Sequence, residues 1–273
     1  MEKLNQALTF IRATTDFVPD IALILGSGLG DIADSVSVVE KFSYDTIPNL
    51  VKSTTAFHKG ELILGYLDGV KVAVLSGRVH LYEGYSVDEV VRPVRLLYLL
   101  GARKLVVTNA SGGINLDYNV GDLVVISDHI SSFVPSPIRG DIRRSIVNLD
   151  FPDMTAVYDK EGGEIFADIC KKRGVSVRRG VYIQVSGAQY ETPAEIKFYR
   201  TIGADLVGMS TVVESMTAKH LGMSIVGISL VTNMASGVLD VTLSHEEVKA
   251  VANKKAKDFC LVLKEFLPIY DKK

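Results

Sequence analysis

The chain has 273 residues, 47% hydrophobic and 23% charged, enough for a large buried core without disulfide or metal staples. Thirty Lys and Arg against 32 Asp and Glu give a net charge of −2, with no block of like charge. That balance sets aside both a polyanion-binding protein and a disordered chain.

The first seventeen residues interleave charge with apolar side chains and hold no secretory h-region. Short β-branched runs then recur between helical patterns. They predict strands at Ile21–Leu25, Leu62–Tyr66, Val70–Leu75, Lys104–Thr108, Asp122–Ser127, Val181–Val185, Asp205–Gly208 and Ser224–Val231. Helix starts are legible as S/T-x-x-E boxes at Ser86–Glu89, Thr192–Glu195, Thr211–Glu214 and Ser244–Glu247. Pro193 at a first helical position and Gly101, Gly203 and Gly222 past helix ends agree with them. The uncharged run Leu221–Leu239 has the length of a bilayer span. Gly222, Ser224, Gly227, Asn233, Ser236 and Gly237 instead divide it into a buried strand and a loop. Cys170 and Cys260 form no CxxC pair, which suits a reducing cytoplasm. The reading is one soluble α/β domain over residues 1–273, with a central, mostly mixed sheet flanked by helices.

In open α/β sheets, ligands collect beyond the carboxyl ends of strands. Six predicted strands here end in small or polar loops: Gly26–Gly30, Ser76–Gly84, Asn109–Gly113, Ser186–Glu191, Met209–Ser210 and Thr232–Asn233. The first is neither a dinucleotide fingerprint, since Asp31 stands where GxGxxG needs glycine, nor a P-loop. It reads as a tight turn or as a cradle in which backbone N–H groups and the Ser27 hydroxyl hold one phosphate. Arg78, His80 and Tyr82 alternate, so an extended segment would point all three toward one oxyanion beside a hydroxylated ligand. The alternative is a surface Arg with a half-buried His and Tyr. Ser210 precedes the helix begun by Thr211, either as an ST-turn or as an anion site with free N–H groups. Tyr190-Glu191 could stack on a flat ring and accept its N–H, or be an edge Tyr and a dipole-favoured Glu. Asn233 offers a donor and an acceptor to a heterocycle, or simply forms a turn. His129 and His220 read as structural, and no metal-ligand spacing or GxSxG is present, so no metal is expected.

LILGSGLG, AFHKGEL, SGRVHLYEGY, VTNASGG, SGAQYETPAE, GADLVGMSTVVE and SLVTNMASG, in this order, closely resemble the trimeric purine nucleoside phosphorylases. The match spans roughly Ile21 to Leu263, with Thr54–His58 and Ser244–Glu247 as further agreement. The resemblance implies reversible phosphorolysis of purine nucleosides to free base and α-pentose 1-phosphate, with orthophosphate as co-substrate and no cofactor. It implies phosphate binding by Ser27, Arg78, His80, Ala110 (through its N–H) and Ser210, with His58 closing over the site and Glu83 in support. It puts Tyr82, Met209 and His245 on the ribose, and Tyr190, Glu191, Val207 and Asn233 around the base. Asn233, His80 and Glu191 would carry the chemistry. Phe151 would reach the neighbouring subunit's site in a homotrimer, and no nucleic acid or membrane partner is implied.

Tyr190 departs from the Phe common in the family, and Met234 follows Asn233 as in bacterial-looking members. Asn233 itself favours 6-oxopurines over adenosine, because an amide donates to O6 where a carboxylate would accept from a 6-amino group. A xanthosine- or methylthioadenosine-preferring phosphorylase is the nearest alternative. A nucleoside hydrolase and a non-catalytic nucleoside-binding protein are the rivals from other classes.

Overall fold

A computed structural model describes residues 1–55, 59–140, 146–147, 151–239 and 245–273, the side chains of 245–249 excepted. β1 (Ile21–Leu25) is buried along its whole length, as a strand covered on both faces must be. It lies parallel to β4 (Val70–Ser76) on one side and β5 (Lys104–Gly113) on the other. Beyond β4, β3 (Glu61–Leu67) and then β2 (Ser37–Ser43) add antiparallel strands to the edge. The sequence reading contained no strand at 37–43. Val38, Val39 and Glu40 face outward there and Phe42 alone is buried, so no inward alternation marks it.

On its other flank β5 does not end the sheet. It runs parallel to β9 (Ser224–Met234) and antiparallel to β8 (Leu206–Gly208). β8 continues to β7 (Val177–Gln184) and β6 (Leu123–Ile130), and β6 returns to β9. β5, β8, β7, β6 and β9 therefore close into a ring, while β2, β3, β4 and β1 form an open limb from it. The mixed sheet is as expected, and its closure is not visible locally in the sequence.

Alternate residues of β1 feed two cores. Ala22 and Ile24 join one with α1 (Glu2–Arg12), α2 (Val87–Leu99) and α5 (Val212–His220). Ile21, Leu23 and Leu25 join another with α3 (Lys160–Lys172) and α6 (His245–Asp271). α2 and α4 (Pro193–Thr201) begin with complete capping boxes at Ser86 and Thr192. Gly101, Gly203 and Gly222 take positive φ just past three helix ends, as predicted. Ser244 lies outside the described residues, and α6 starts at His245.

Two predicted loops are strand instead. Asn109–Gly113 continues β5, and Thr232–Asn233 continues β9. The β5–β9 register shifts between Ser111 and Gly112, which skips Thr232, so a bulge sits beside Asn233. Polar and small residues there read as loop because their ladder partners are more than a hundred residues away. The uncharged Leu221–Leu239 run divides into β9 and a following turn, and no helix among the described residues is long and apolar enough to cross a membrane.

Candidate active site

The pairing of β5 with β1 stops at Ile24 opposite Val107, and its pairing with β8 begins only at Gly112 opposite Val207. Along residues 108–111 that edge has no strand neighbour among the described residues, and the strand-end loops converge on the gap. Gly26 makes the approach possible. A Cβ there would lie 2.6 Å from the Asn109 Cα. Its N–H donates to the Thr108 hydroxyl, which itself donates to the Ile24 carbonyl.

The resulting cavity, about 310 Å³, is lined by Ser27, Arg78, His80, Tyr82, Ala110, Tyr190, Glu191, Val207, Met209, Ser210 and Asn233. All six predicted strand ends therefore meet at one place. Glu83 stands behind His80 rather than in the wall. Phe151 is 87% exposed and lies outside the cavity of its own chain. His58 lies outside the described residues, as does the side chain of His245. Asn109, Ser111 and Thr232 line the wall as well, though the sequence reading gave them no role.

One end of the cavity is buried and densely bonded. Arg78 is 4% exposed and donates through Nη1 to the Thr211 hydroxyl and to Glu214 Oε2, each at 3.0 Å, and through Nη2 to the Thr108 carbonyl. Its Nε has no hydrogen-bond partner among the described residues. His80 stacks on Tyr82 with ring centroids 4.6 Å apart. Extended geometry ends at His80, because residues 81–83 form a 3₁₀ turn that brings Tyr82 round beside it. Glu83 Oε1 accepts from the His80 N–H at 2.7 Å and faces His80 Nδ1 at 3.0 Å. Its Oε2 accepts from the hydroxyls of Ser53 and Thr54. Burial alone would raise the Glu83 pKa, but these donors outweigh it and hold the group at about 2. Burial pushes His80 below the usual imidazole range against the pull of Glu83. A neutral ring that gives Nδ1–H to Glu83 keeps Nε2 as an acceptor.

The helix start at Ser210-Thr211 corrects the sequence reading. Its N–H groups are not free: Val212 and Val213 donate to Gln184 Oε1 at 2.9 and 3.0 Å, and Thr211 donates to Glu214 Oε2 at 3.0 Å. Thr211 is fully buried with φ +84°, a conformation that costs a β-branched residue about 1–3 kcal/mol. These bonds hold it there. An anion at Ser210 would meet the serine hydroxyl, not a bare helix terminus.

The other end is more open. Tyr190 is 38% exposed, and Glu191 and Asn233 are half-buried. Burial pushes the Glu191 carboxyl above its ordinary range, and the charge of nearby Glu195 adds to this. The Thr232 hydroxyl lies 3.1 Å from Asn233 Oδ1, while Asn233 Nδ2 donates to the Met234 carbonyl at 3.2 Å. A carboxylate and an amide face one cavity opposite an arginine, an imidazole and two serines. That is a site for a ligand with a flat polar heterocycle at one end and an oxyanion at the other.

Comparison with known proteins gives this arrangement its family. The sequence model of the phosphorylase superfamily matches residues 20–268. Purine nucleoside phosphorylase 1 of Bacillus subtilis is 43% identical over 270 residues, 99% of each chain. The chain belongs to the purine nucleoside phosphorylases. Two structures of Schistosoma mansoni members of that family, one with adenosine and one with cytosine and ribose-1-phosphate, superpose with a TM-score of 0.87. Each is 36% identical; the first covers 98% of this chain and 96% of its own, the second 97% and 95%. Six of the seven sequence motifs meet at strand ends around a single cavity, and the seventh, AFHKGEL, includes residues 56–58, which lie outside the described residues. His129 and His220, apart from that cavity, are packed in the body, His129 against the Tyr158 hydroxyl at 3.1 Å.

Proposed function

We propose that this purine nucleoside phosphorylase acts on 6-oxopurine nucleosides, inosine and guanosine, splitting them with orthophosphate into free base and α-pentose 1-phosphate. The observation that carries this reading is the joining of Arg78, His80 and Ser210 to Glu191 and Asn233 in one cavity. Phosphate would lie at the buried end against Ser27, Arg78, His80, the Ala110 N–H and Ser210. Glu214 offsets the charge of Arg78, so neutral donors must supply much of the grip. His80 can hydrogen-bond the P–OH of a monohydrogen phosphate. Tyr82 and Met209 would hold the ribose, with His245 beside them, while Tyr190 and Val207 would pack against the base.

Cleavage of the N-glycosidic bond builds positive charge on the sugar and negative charge on the departing purine. Phosphate beneath the sugar stabilises the first electrostatically and then takes C1′. Asn233 donating to N7 or O6 stabilises the second, and Glu191 accepts from N1–H. Donors preorganised in this way contribute about 3–4 kcal/mol each. Phosphate is itself the nucleophile, so the scheme requires neither a protein nucleophile nor a cofactor.

A homotrimer in which Phe151 completes the neighbour's site is part of this reading. Phe151 is exposed, and Phe133 and Phe198 form an exposed edge-to-face pair next to Tyr199. Sedimentation should give a trimer, and a monomer at assay concentration would remove the assignment of Phe151. A cytoplasmic setting fits the two free cysteines.

Purine release from inosine and adenosine, followed with and without orthophosphate, tests the whole. Rapid hypoxanthine release that requires phosphate, with little adenosine turnover, is the expected result. Release without phosphate would make the protein a hydrolase. Preference for adenosine would overturn the reading of Asn233.

A further inference from the structure

Thr211 makes no contact with the cavity, yet it joins three groups that do. Its hydroxyl receives Arg78 Nη1 at 3.0 Å and Asn109 Nδ2 at 2.9 Å, and lies 3.2 Å from the Ser210 hydroxyl. A hydroxyl has two acceptor lone pairs and one proton. Arg78 can only donate, and the Asn109 amide nitrogen likewise, so both lone pairs of Thr211 are occupied. Its proton is then left for Ser210, whose oxygen must accept it.

We propose that Thr211 is a positioning residue that sets the direction of the Ser210 hydroxyl. Ser210, by accepting from Thr211, has its own proton to give, and the cavity is where an oxyanion would take it. A serine free to rotate could present a lone pair to phosphate half the time; this one is set as a donor before phosphate arrives. The left-handed backbone at Thr211 serves the same end. Glu214 Oε2 holds the Thr211 N–H and Arg78 together, while Gln184 occupies the next two N–H groups. The hydroxyl therefore points back toward Arg78 and Asn109. The inference rests on the proposed phosphate site at Ser210.

The test is a double-mutant cycle on Thr211→Val and Ser210→Ala, read as the KM for orthophosphate and the KM for inosine separately. Val keeps the shape of Thr and removes both acceptor and donor. Thr211→Val should raise the phosphate KM about tenfold with the inosine KM changed less than about twofold, since one charge-assisted network is lost at one end. Thr211→Ser, which keeps the hydroxyl, should restore most of that loss. Ser210→Ala should cost about tenfold alone but less than about threefold when Thr211 is already Val, because the two act as a unit. Thr211→Cys, with a weak donor and acceptor of similar size, gives the same reading should the valine variant not fold. Independent, additive losses would overturn the relay. A phosphate KM within twofold of the parent in a folded Thr211→Val protein would overturn it too. If Ser210→Ala alone leaves the phosphate KM unmoved, the phosphate contact itself fails, and that result is separate from additivity.

Discussion

The two ends of the cavity are built differently. At the proposed phosphate end the charged side chains among the described residues are tied to other elements: Arg78 to Thr108, Thr211 and Glu214, and Glu83 to His80 and residues 53–54. At the base end Tyr190 and Glu191 come from a single loop before α4, and Asn233 is steadied by its immediate neighbours, Thr232 and Met234. The contrast follows the chemistry. Orthophosphate is one small ion and can be met by a rigid cradle whose buried charges are hydrogen-bonded at all times. Purines differ at the ring edge, and a pair of half-exposed side chains can select among them without disturbing the core. Substitutions at the first end should therefore affect folding and phosphate together, and those at the second should affect base selection alone.

The largest effect is expected at Arg78. Arg78→Ala removes a proposed phosphate donor and strands Glu214, 3% exposed, without its partner. Breaking such a pair costs about 3–5 kcal/mol, so a clear fall in Tm should accompany loss of phosphate-dependent turnover. An unchanged Tm would show that the cradle is not the rigid half. Asn233→Ala should reduce the rate on inosine by about 10²–10³ while leaving Tm and phosphate KM near those of the parent. A large Tm loss there would erase the distinction between the ends.

Acid behaviour sharpens the comparison. Glu83 titrates at about 2 in the folded chain against 4.5 for an ordinary glutamate. Its stabilisation is therefore complete above pH 4.5 and is lost as pH falls toward 2. Urea midpoints measured across that window should fall in the parent and fall less in Glu83→Gln. Glu191 is shifted the opposite way by burial. Since in the proposed role it must be ionised to accept N1–H, kcat/KM for inosine should decline on an acid limb that begins above the usual glutamate range. That limb should be absent in Glu191→Gln at its lower level of activity. The smallest change is expected for Tyr190→Phe, which keeps the ring face. The inosine KM should move less than about threefold, and a larger move would give the hydroxyl a part in base binding.

Much of this was legible in the chain, for reasons that particular residues make clear. β1 announces itself as an uninterrupted apolar run because it is covered on both faces, and β4 and β9 as mostly apolar, β-branched runs broken by single polar or small residues. The helices at Ser86 and Thr192 do so because capping is local. The same box at Thr211 was read correctly as a helix start, but its meaning was not. Glu214 also pairs with Arg78, 136 positions away, and Gln184 takes the N–H groups that would otherwise greet an anion. Asn109 and Thr232 read as loop in the sequence because the partners that make them strand lie across the closed ring. Long-range pairing of buried polar groups has no periodicity and no spacing, so only the folded chain displays it.

The division of labour between the two ends is tested most directly by Asn233→Asp. Its kcat/KM should be measured for inosine and adenosine beside the parent, with the phosphate KM determined in each. A carboxylate accepts where the amide donates, so inosine turnover should fall and the adenosine-to-inosine ratio should rise, at an unchanged phosphate KM. An unchanged ratio, or a phosphate KM that moves with it, would contradict the account.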